Sequence, residues 1–259
     1  MLEKMKKDAK LILRQQLGKI IILLYIQVCA WTAFGFIFGA GAELFHISPP
    51  FPGLFTDAGF VGALLLLALI TVAALMVLPP LWLGLRCWLY KVSDDPDLPL
   101  WEAFSYFSKK KYLQAVYYGC RMLLLHILHA VCFLTPGFVL LAGCFRLFLR
   151  SGRDLWQFVF ALGVMVGFCL ILVGFSVFIW FSQRYYLVAA FLCEGCSVNE
   201  AIKRSVVAMS QSKSASAKMW ISYIPMFLSC LLIVPALYVV PHFLCASAIF
   251  SKVLVIKTK

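Results

Sequence analysis

Charge is what this sequence has least of. Charged residues make up 13% of the chain and hydrophobic residues 63%, where a soluble globular domain carries about 25% and about half. That balance excludes an ordinary water-soluble fold, and a mean hydropathy of +0.95 marks an integral membrane protein. Acidic residues are scarcest: there are 11 Asp and Glu, and none stands in the middle of a long apolar run. A proton relay through intramembrane carboxylates therefore lacks its parts. Also missing are a GxSxG elbow, an HExxH pair, a Walker loop and a dinucleotide fingerprint. The common hydrolase, protease and nucleotide-binding chemistries have nothing to build on. The expectation is a non-enzyme with no cofactor.

What the chain has in quantity is long apolar sequence. A helix needs about 20 mostly apolar residues to cross a hydrocarbon core of about 30 Å. Four uncharged runs meet this, at 20–42, 58–85, 122–145 and 155–183. A fifth, 219–251, is too long for one ordinary span and is interrupted by Pro225, Pro235 and Pro241, each of which removes a backbone donor. It reads as a hairpin of two short spans, 219–234 and 238–256, divided near 234–241. The expected fold class is thus all-α: a polytopic transmembrane bundle of about six spans, forming one integral membrane domain over 1–259.

The basic residues give an independent orientation, because cytoplasmic loops accumulate Lys and Arg. With six spans and an inside N-terminus, only Arg146, Arg150 and Arg153 of the 23 Lys and Arg fall outside; a five-span version with the tail outside still sets seventeen against six and stays as the alternative. Both termini are then expected in the cytoplasm, in a multi-pass protein of the bacterial plasma membrane. The same distribution accounts for the net charge of +12 and makes anionic phospholipid, not nucleic acid, the expected polyanion. The apolar run after Lys19 exceeds the 7 to 15 residues of a signal-peptide core, so it is read as a retained first span.

Three polar or amphipathic segments precede spans on the cytoplasmic side, at about 2–18, 99–115 and 198–211. In the first, Leu2, Met5, Ala9, Ile12, Leu13 and Leu17 recur near helical spacing, with Lys6, Lys7, Lys10 and Arg14 on the other side. The second carries Trp101, Phe104 and Phe107 ahead of Lys109, Lys110 and Lys111. The third opens with Ser197 and Glu200 at capping-box spacing, then sets an apolar face of Val198, Ala201, Ile202, Ser205, Val206 and Met209 against Lys203 and Arg204. After it, "SQSKSASAK" reads as a flexible polar turn. One-sided basic helices of this kind suit a membrane surface or a protein partner at the cytoplasmic face.

A pattern links several of these pieces. Arg184, Tyr185 and Tyr186, then Glu194, then Glu200, Ala201, Ile202, Ser205 and Met209 resemble a motif of uncharacterised bacterial polytopic membrane proteins and of the membrane domain attached to some glycerophosphodiester phosphodiesterases. There an aromatic span end leads to an acidic residue, a short helix and a final hydrophobic pair. The "KKDAKLILRQQLGK" entry to the first span and "LTPGFVLL" resemble the same group. The resemblance implies a compact bundle of about six helices. It implies no phosphodiesterase activity, because the soluble catalytic domain is not in this sequence.

Few side chains could do chemistry. His126 and His129 are three apart, a spacing compatible with two metal ligands on one helix face, or with histidines bonded to carbonyls inside the bundle. Cys193 and Cys196 form "CEGC", which suits thiol exchange, zinc or acylation; the simpler expectation for the ten cysteines is free thiols acting as small hydrophobes. Pro79, Pro80, Pro136 and Gly137 either kink spans or line a cavity. The functional expectation is a non-catalytic lipid-binding, membrane-organising or accessory protein whose basic residues contact anionic lipid or a partner. The alternative is a small transporter or lipid-translocating protein using a cavity between proline-broken spans.

Overall fold

The structure is a computed structural model that describes residues 2–44, 57–151, 154–229 and 233–258. Its elements are α1 (Leu2–Leu44), α2 (Asp57–Val92), a 3₁₀ segment (Leu100–Phe107), α3 (Lys109–Ser151), α4 (Asp154–Ser182), a 3₁₀ turn (Gln183–Tyr185), α5 (Val188–Cys193), α6 (Val198–Ser229) and α7 (Ile233–Lys257). No strand occurs among the described residues, so the fold is all-α. Among the described residues five helices are long and apolar enough to cross a membrane, at Glu3–Ile37, Leu65–Val92, Lys109–Arg146, Val159–Cys193 and Pro235–Lys257. The protein is a membrane protein. Arg153 lies outside the described residues.

Three expected boundaries are different in the structure. The segment 2–18 is not a separate surface helix. It runs unbroken into the first apolar run, making α1 43 residues long, about 64 Å at 1.5 Å per residue. Its buried stripe is Met5, Ala9, Leu13, Gln16, Ile20 and Leu23, and it packs on α2 and α7. Protein, not lipid, covers this face. Lys19 Nζ and Gln16 Nε2 fix it further by donating to the carbonyls of Leu98 (3.3 Å) and Pro96 (2.6 Å).

The segment 99–115 is two elements. Leu100–Phe107 is a 3₁₀ helix that ends at Ser108, whose extended backbone (φ −72°, ψ 143°) interrupts the helical path. Lys109, Lys110 and Lys111 therefore form the first turn of α3. The 3₁₀ segment is drawn against α2 by burial of Ala103 and Tyr106 and by Trp88 Nε1, which donates to Pro99 O at 3.1 Å. Gly84 makes this approach feasible: a Cβ there would lie 1.7 Å from Ala103 O.

The expected turn at 210–218 is helix. α6 runs continuously to Ser229, because Ala208, Met209, Ser216, Met219 and Tyr223 extend one buried stripe through it. Tertiary burial overrides the weak helix propensity of its serines. Among the described residues α6 is not one of the helices apolar enough to cross a membrane, and residues 230–232 of the expected span 219–234 lie outside the described residues. The partition of the hairpin also moves: Pro235 and Pro241 lie within α7, not at its boundary.

Burial is concentrated in the N-terminal half of α1, the last four turns of α2, the 3₁₀ segment, α5, α6 and α7, with Trp88, Tyr223 and Phe250 fully buried. The middle stretches of α1, α2, α3 and α4 instead present Phe36, Leu69, Val139, Met165 and Val173 outward, as a lipid-facing surface requires. α3 and α4 pack tightly along one another. A Cβ on Gly137 would meet Ile171 Cγ1 at 2.5 Å, and one on Gly174 would meet Phe133 O at 2.2 Å. Small residues let the two backbones approach, the usual route to helix association in lipid, where dispersion replaces the hydrophobic effect.

Candidate functional site: an apolar cleft with one guanidinium

Two cavities meet in the helix bundle. One, of about 830 Å³, lies between α1, α2 and α3 and includes Trp31, Phe34, Leu75 and Pro79. The other, of about 660 Å³, lies between α2, α3, α4 and α6 and includes Arg86, Phe178, Ile179, Ile221 and Ile224. Trp82, Tyr118, Met122 and His126 line both and form the wall they share. Each has the size of a small-molecule or lipid site and a mostly apolar lining.

Among the described residues, Arg86 is the only charged one lining the second cavity. It stands on α2 just beyond the uncharged run, where the helix enters the core. Its guanidinium stacks over the Trp82 ring at 4.6 Å and donates to Ser247 Oγ at 2.9 Å. Ser247 Oγ in turn donates to Leu244 O, and Tyr186 donates to Ser247 O at 3.2 Å. Among the described residues no carboxylate lies within ion-pair distance of Arg86. A guanidinium has five donors, and a half-buried one without a counter-ion is costly unless an anion joins it.

Two further polar groups line the same cavity. Ser182 Oγ and Gln183 Oε1 are buried and make no hydrogen bond among the described residues. They sit where α4 passes into the 3₁₀ turn. Buried polar atoms are ordinarily paired, so a hydroxyl and an amide oxygen left open in the same cavity as a guanidinium without a counter-ion give this apolar cleft a polar part. Sequence reasoning did not single out any of the three; the available signal was an arginine following an uncharged run.

The predicted site residues divide. Pro79 lines the first cavity and packs against α3, where a Cβ on Gly119 would meet its ring at 2.3 Å. Pro80 is buried beside it. Pro136 and Gly137 line neither of these two cavities; Pro136 lies inside the continuous α3, and Gly137 is a helix-packing contact. His126 and His129 each place Nδ1 2.6 Å from a carbonyl one turn back, Met122 O and Leu125 O. A carbonyl only accepts, so Nδ1 carries the proton. Phe178, Phe181 and Tyr185 surround the two rings. No group of three His, Cys, Asp or Glu positioned to hold a metal occurs among the described residues.

Lys7, Lys10, Arg14, Lys109, Lys110, Lys111, Lys203 and Arg204 are exposed. Lys6 is instead half-buried, donating to Ser222 O at 3.3 Å with its ammonium 4.9 Å from the centre of the Tyr223 ring. At the start of α6, the Glu200 N–H donates to Ser197 Oγ at 3.4 Å, half of the expected capping box. The Glu200 carboxylate completes a different pair, with Arg204 at 2.6 Å. Ser205 is fully buried; its hydroxyl donates to Arg184 O at 2.7 Å and accepts from Leu187 N–H at 3.2 Å. That one side chain pins the cavity-lining turn 183–187 to α6.

The "CEGC" stretch is a helix stop. Gly195 has φ +90°, Cys196 N–H reaches back to Phe191 O at 3.1 Å, and Gly195 N–H to Leu192 O at 3.0 Å, the Schellman arrangement with glycine at the left-handed position. Cys193, at the end of α5, is disulfide-bonded to Cys87 of α2, so the expectation of free thiols fails for this pair. Cys196 stays a free thiol. Comparison of the chain with protein-family models, curated proteins and solved structures yields no match.

Proposed function

We propose that this protein is a non-catalytic membrane protein that binds an anionic phospholipid in the cleft between α2, α3, α4 and α6. The observation that carries this reading is Arg86, a guanidinium without a carboxylate partner among the described residues, which lines the same apolar cavity as Ser182 and Gln183. The phosphate takes the free donors of Arg86 and the Ser182 hydroxyl. A headgroup hydroxyl, as in a glycerol headgroup, donates to Gln183 Oε1. The acyl chains lie along Phe178, Ile179, Ile221 and Ile224. The exposed lysines of α1, α3 and α6 contribute the long-range attraction to an anionic leaflet, about 1 kcal/mol each near the surface, and orient that end of the bundle toward the cytoplasm of a bacterial cell.

A second reading is lipid or solute translocation, favoured by the wall of four side chains that separates the two cavities. In that case Trp82 or Met122 acts as the gate. Lipid analysis of gently extracted protein tests the binding reading. Wild type retains a phosphate-headed anionic lipid, and Ser182→Ala with Gln183→Leu, which remove two polar atoms that have no hydrogen-bond partner among the described residues, lose most of it. Equal retention by the variants counts against this site. Headgroup flux in reconstituted vesicles that rises with Trp82→Ala supports translocation.

A further inference from the structure

A third cavity has different chemistry. It measures about 260 Å³, is lined by Lys91, Ser105, Lys111, Gln114 and Glu194, and contains the Cys87–Cys193 disulfide in its wall. The Cys87 side is 4% exposed and deep, while Cys193 is half-buried at the end of α5. The third cysteine, Cys196, follows three residues on, beyond the Gly195 turn, with its carbonyl held by Gln114 Nε2 at 3.0 Å. Its thiol is free. Lys91 pairs with Glu102 at 3.5 Å, and Lys111, exposed and 5.8 Å from the centre of the Tyr106 ring, is the cation this polar recess offers to an incoming anion. It lies among the segments whose basic residues orient them to the cytoplasm, a compartment where glutathione-type thiols keep stable disulfides rare and those that form are mostly catalytic or sensing.

We propose that this cavity is a thiol–disulfide exchange site for a small anionic thiol of the glutathione class, with Cys193 as the sulfur attacked, Cys87 as the leaving thiolate and Cys196 as the resolving thiol. The incoming thiolate attacks Cys193 Sγ in line with the disulfide; a sulfur–sulfur bond forms to Cys193 as the Cys87–Cys193 bond breaks. The electron pair goes to Cys87 Sγ, which lies 3.3 Å from the Tyr106 hydroxyl. Burial pushes the Tyr106 phenol up to about 12, so it keeps its proton and can donate to the departing thiolate. Cys196, deprotonated, then attacks Cys193 Sγ, forms the Cys193–Cys196 disulfide and expels the small thiolate unchanged. Cys87 gains the proton that Cys196 gave up. No oxidant is consumed: one disulfide exchanges for another, and the covalent tie between α2 and α5 is released.

The proposal is independent of lipid binding and is tested on the full chain in detergent micelles. Oxidised protein is incubated with reduced glutathione, alkylated, and mapped by non-reducing peptide mass spectrometry. The expected result is loss of the Cys87–Cys193 linkage, alkylation of Cys87 and appearance of Cys193–Cys196. In Cys196→Ser, resolution stops and glutathione accumulates on Cys193. Cysteamine, a cationic thiol of similar reactivity, reacts several-fold more slowly, and Lys111→Gln narrows that difference. Glutathione found on Cys87 instead of Cys193, a linkage that resists glutathione until the protein is unfolded, or folded protein that never carries the Cys87–Cys193 bond after mild oxidation would each overturn it.

Discussion

Replacing Ser205 by alanine removes a single oxygen and leaves two buried backbone groups without partners. Arg184 O loses a donor at 2.7 Å and Leu187 N–H loses an acceptor at 3.2 Å, at a position with no solvent exposure to substitute water. Each buried unsatisfied group costs about 1–3 kcal/mol, so the pair together destabilises by roughly 2–4 kcal/mol once partial relaxation of the turn is allowed for. In a chain of this size each kcal/mol moves the midpoint by about 2–4 °C. Ser205→Ala should therefore melt roughly 5–15 °C below wild type when followed by near-UV circular dichroism in detergent. The control is Ser210→Ala, five residues further along the same helix, whose exposed hydroxyl returns to Val207 O within its own turn; it should change the midpoint little. A Ser205→Ala midpoint equal to that of Ser210→Ala would refute the argument that this side chain fastens the 183–187 turn to α6.

Gly137→Ala should destabilise the α3–α4 pair by about 1–3 kcal/mol of overpacking, since its Cβ would meet Ile171 at 2.5 Å. Gly143→Ala, with nothing within 4 Å, is the matching neutral change, and unfolding of the two variants in parallel checks the difference. Arg204→Gln should cost at most about 0.5 kcal/mol, because the Glu200 pair is roughly half exposed and screened; a larger loss in denaturant titration would contradict this. Tyr106 keeps its proton more firmly in the folded protein, up to about 12 against 10.0 when free. Its contribution is therefore complete below pH 10 and declines as the pH rises from there toward 12. Tyr106→Phe should flatten that alkaline decline, measured as the pH dependence of unfolding.

The all-α class and the main apolar runs were legible because a long uncharged stretch has few stable alternatives in lipid. The Ser197 cap and the alternating faces of α6 were legible for a related reason: their spacing is local. What covers those faces is not local. Met5, Ala9 and Leu13 carry the same helical signal whether they rest on a leaflet or on α7, and only the tertiary arrangement distinguishes the two. It also exchanges Leu17, 36% exposed, for Gln16 in the buried stripe. The continuity of α6 through its serines depends on burial of Ser216, Met219 and Tyr223 against distant helices, which the polar composition of "SQSKSASAK" conceals. Prolines drew attention to spans two and three, yet of Pro79, Pro80 and Pro136 it is Pro79 that lines one of the two apolar cavities. Arg86 reads in sequence as an ordinary inner-end arginine. Its distinction, the lack of a carboxylate partner beside two open polar atoms, exists only in three dimensions. Likewise "CEGC" suggests a pair within itself, while the fold bonds its first cysteine to one 106 positions away.

The most direct test of the central claim is a native mass-spectrometric titration of wild type and Arg86→Met with a phosphate-headed anionic lipid and with a zwitterionic lipid of identical acyl chains. A charge-assisted hydrogen bond contributes about 1.5–3 kcal/mol, which corresponds to roughly 10- to 150-fold in Kd. Wild type should bind the anionic lipid that much more tightly than Arg86→Met does, while the two proteins bind the zwitterionic lipid alike. An anionic-lipid Kd unchanged by removal of the Arg86 guanidinium would contradict the account.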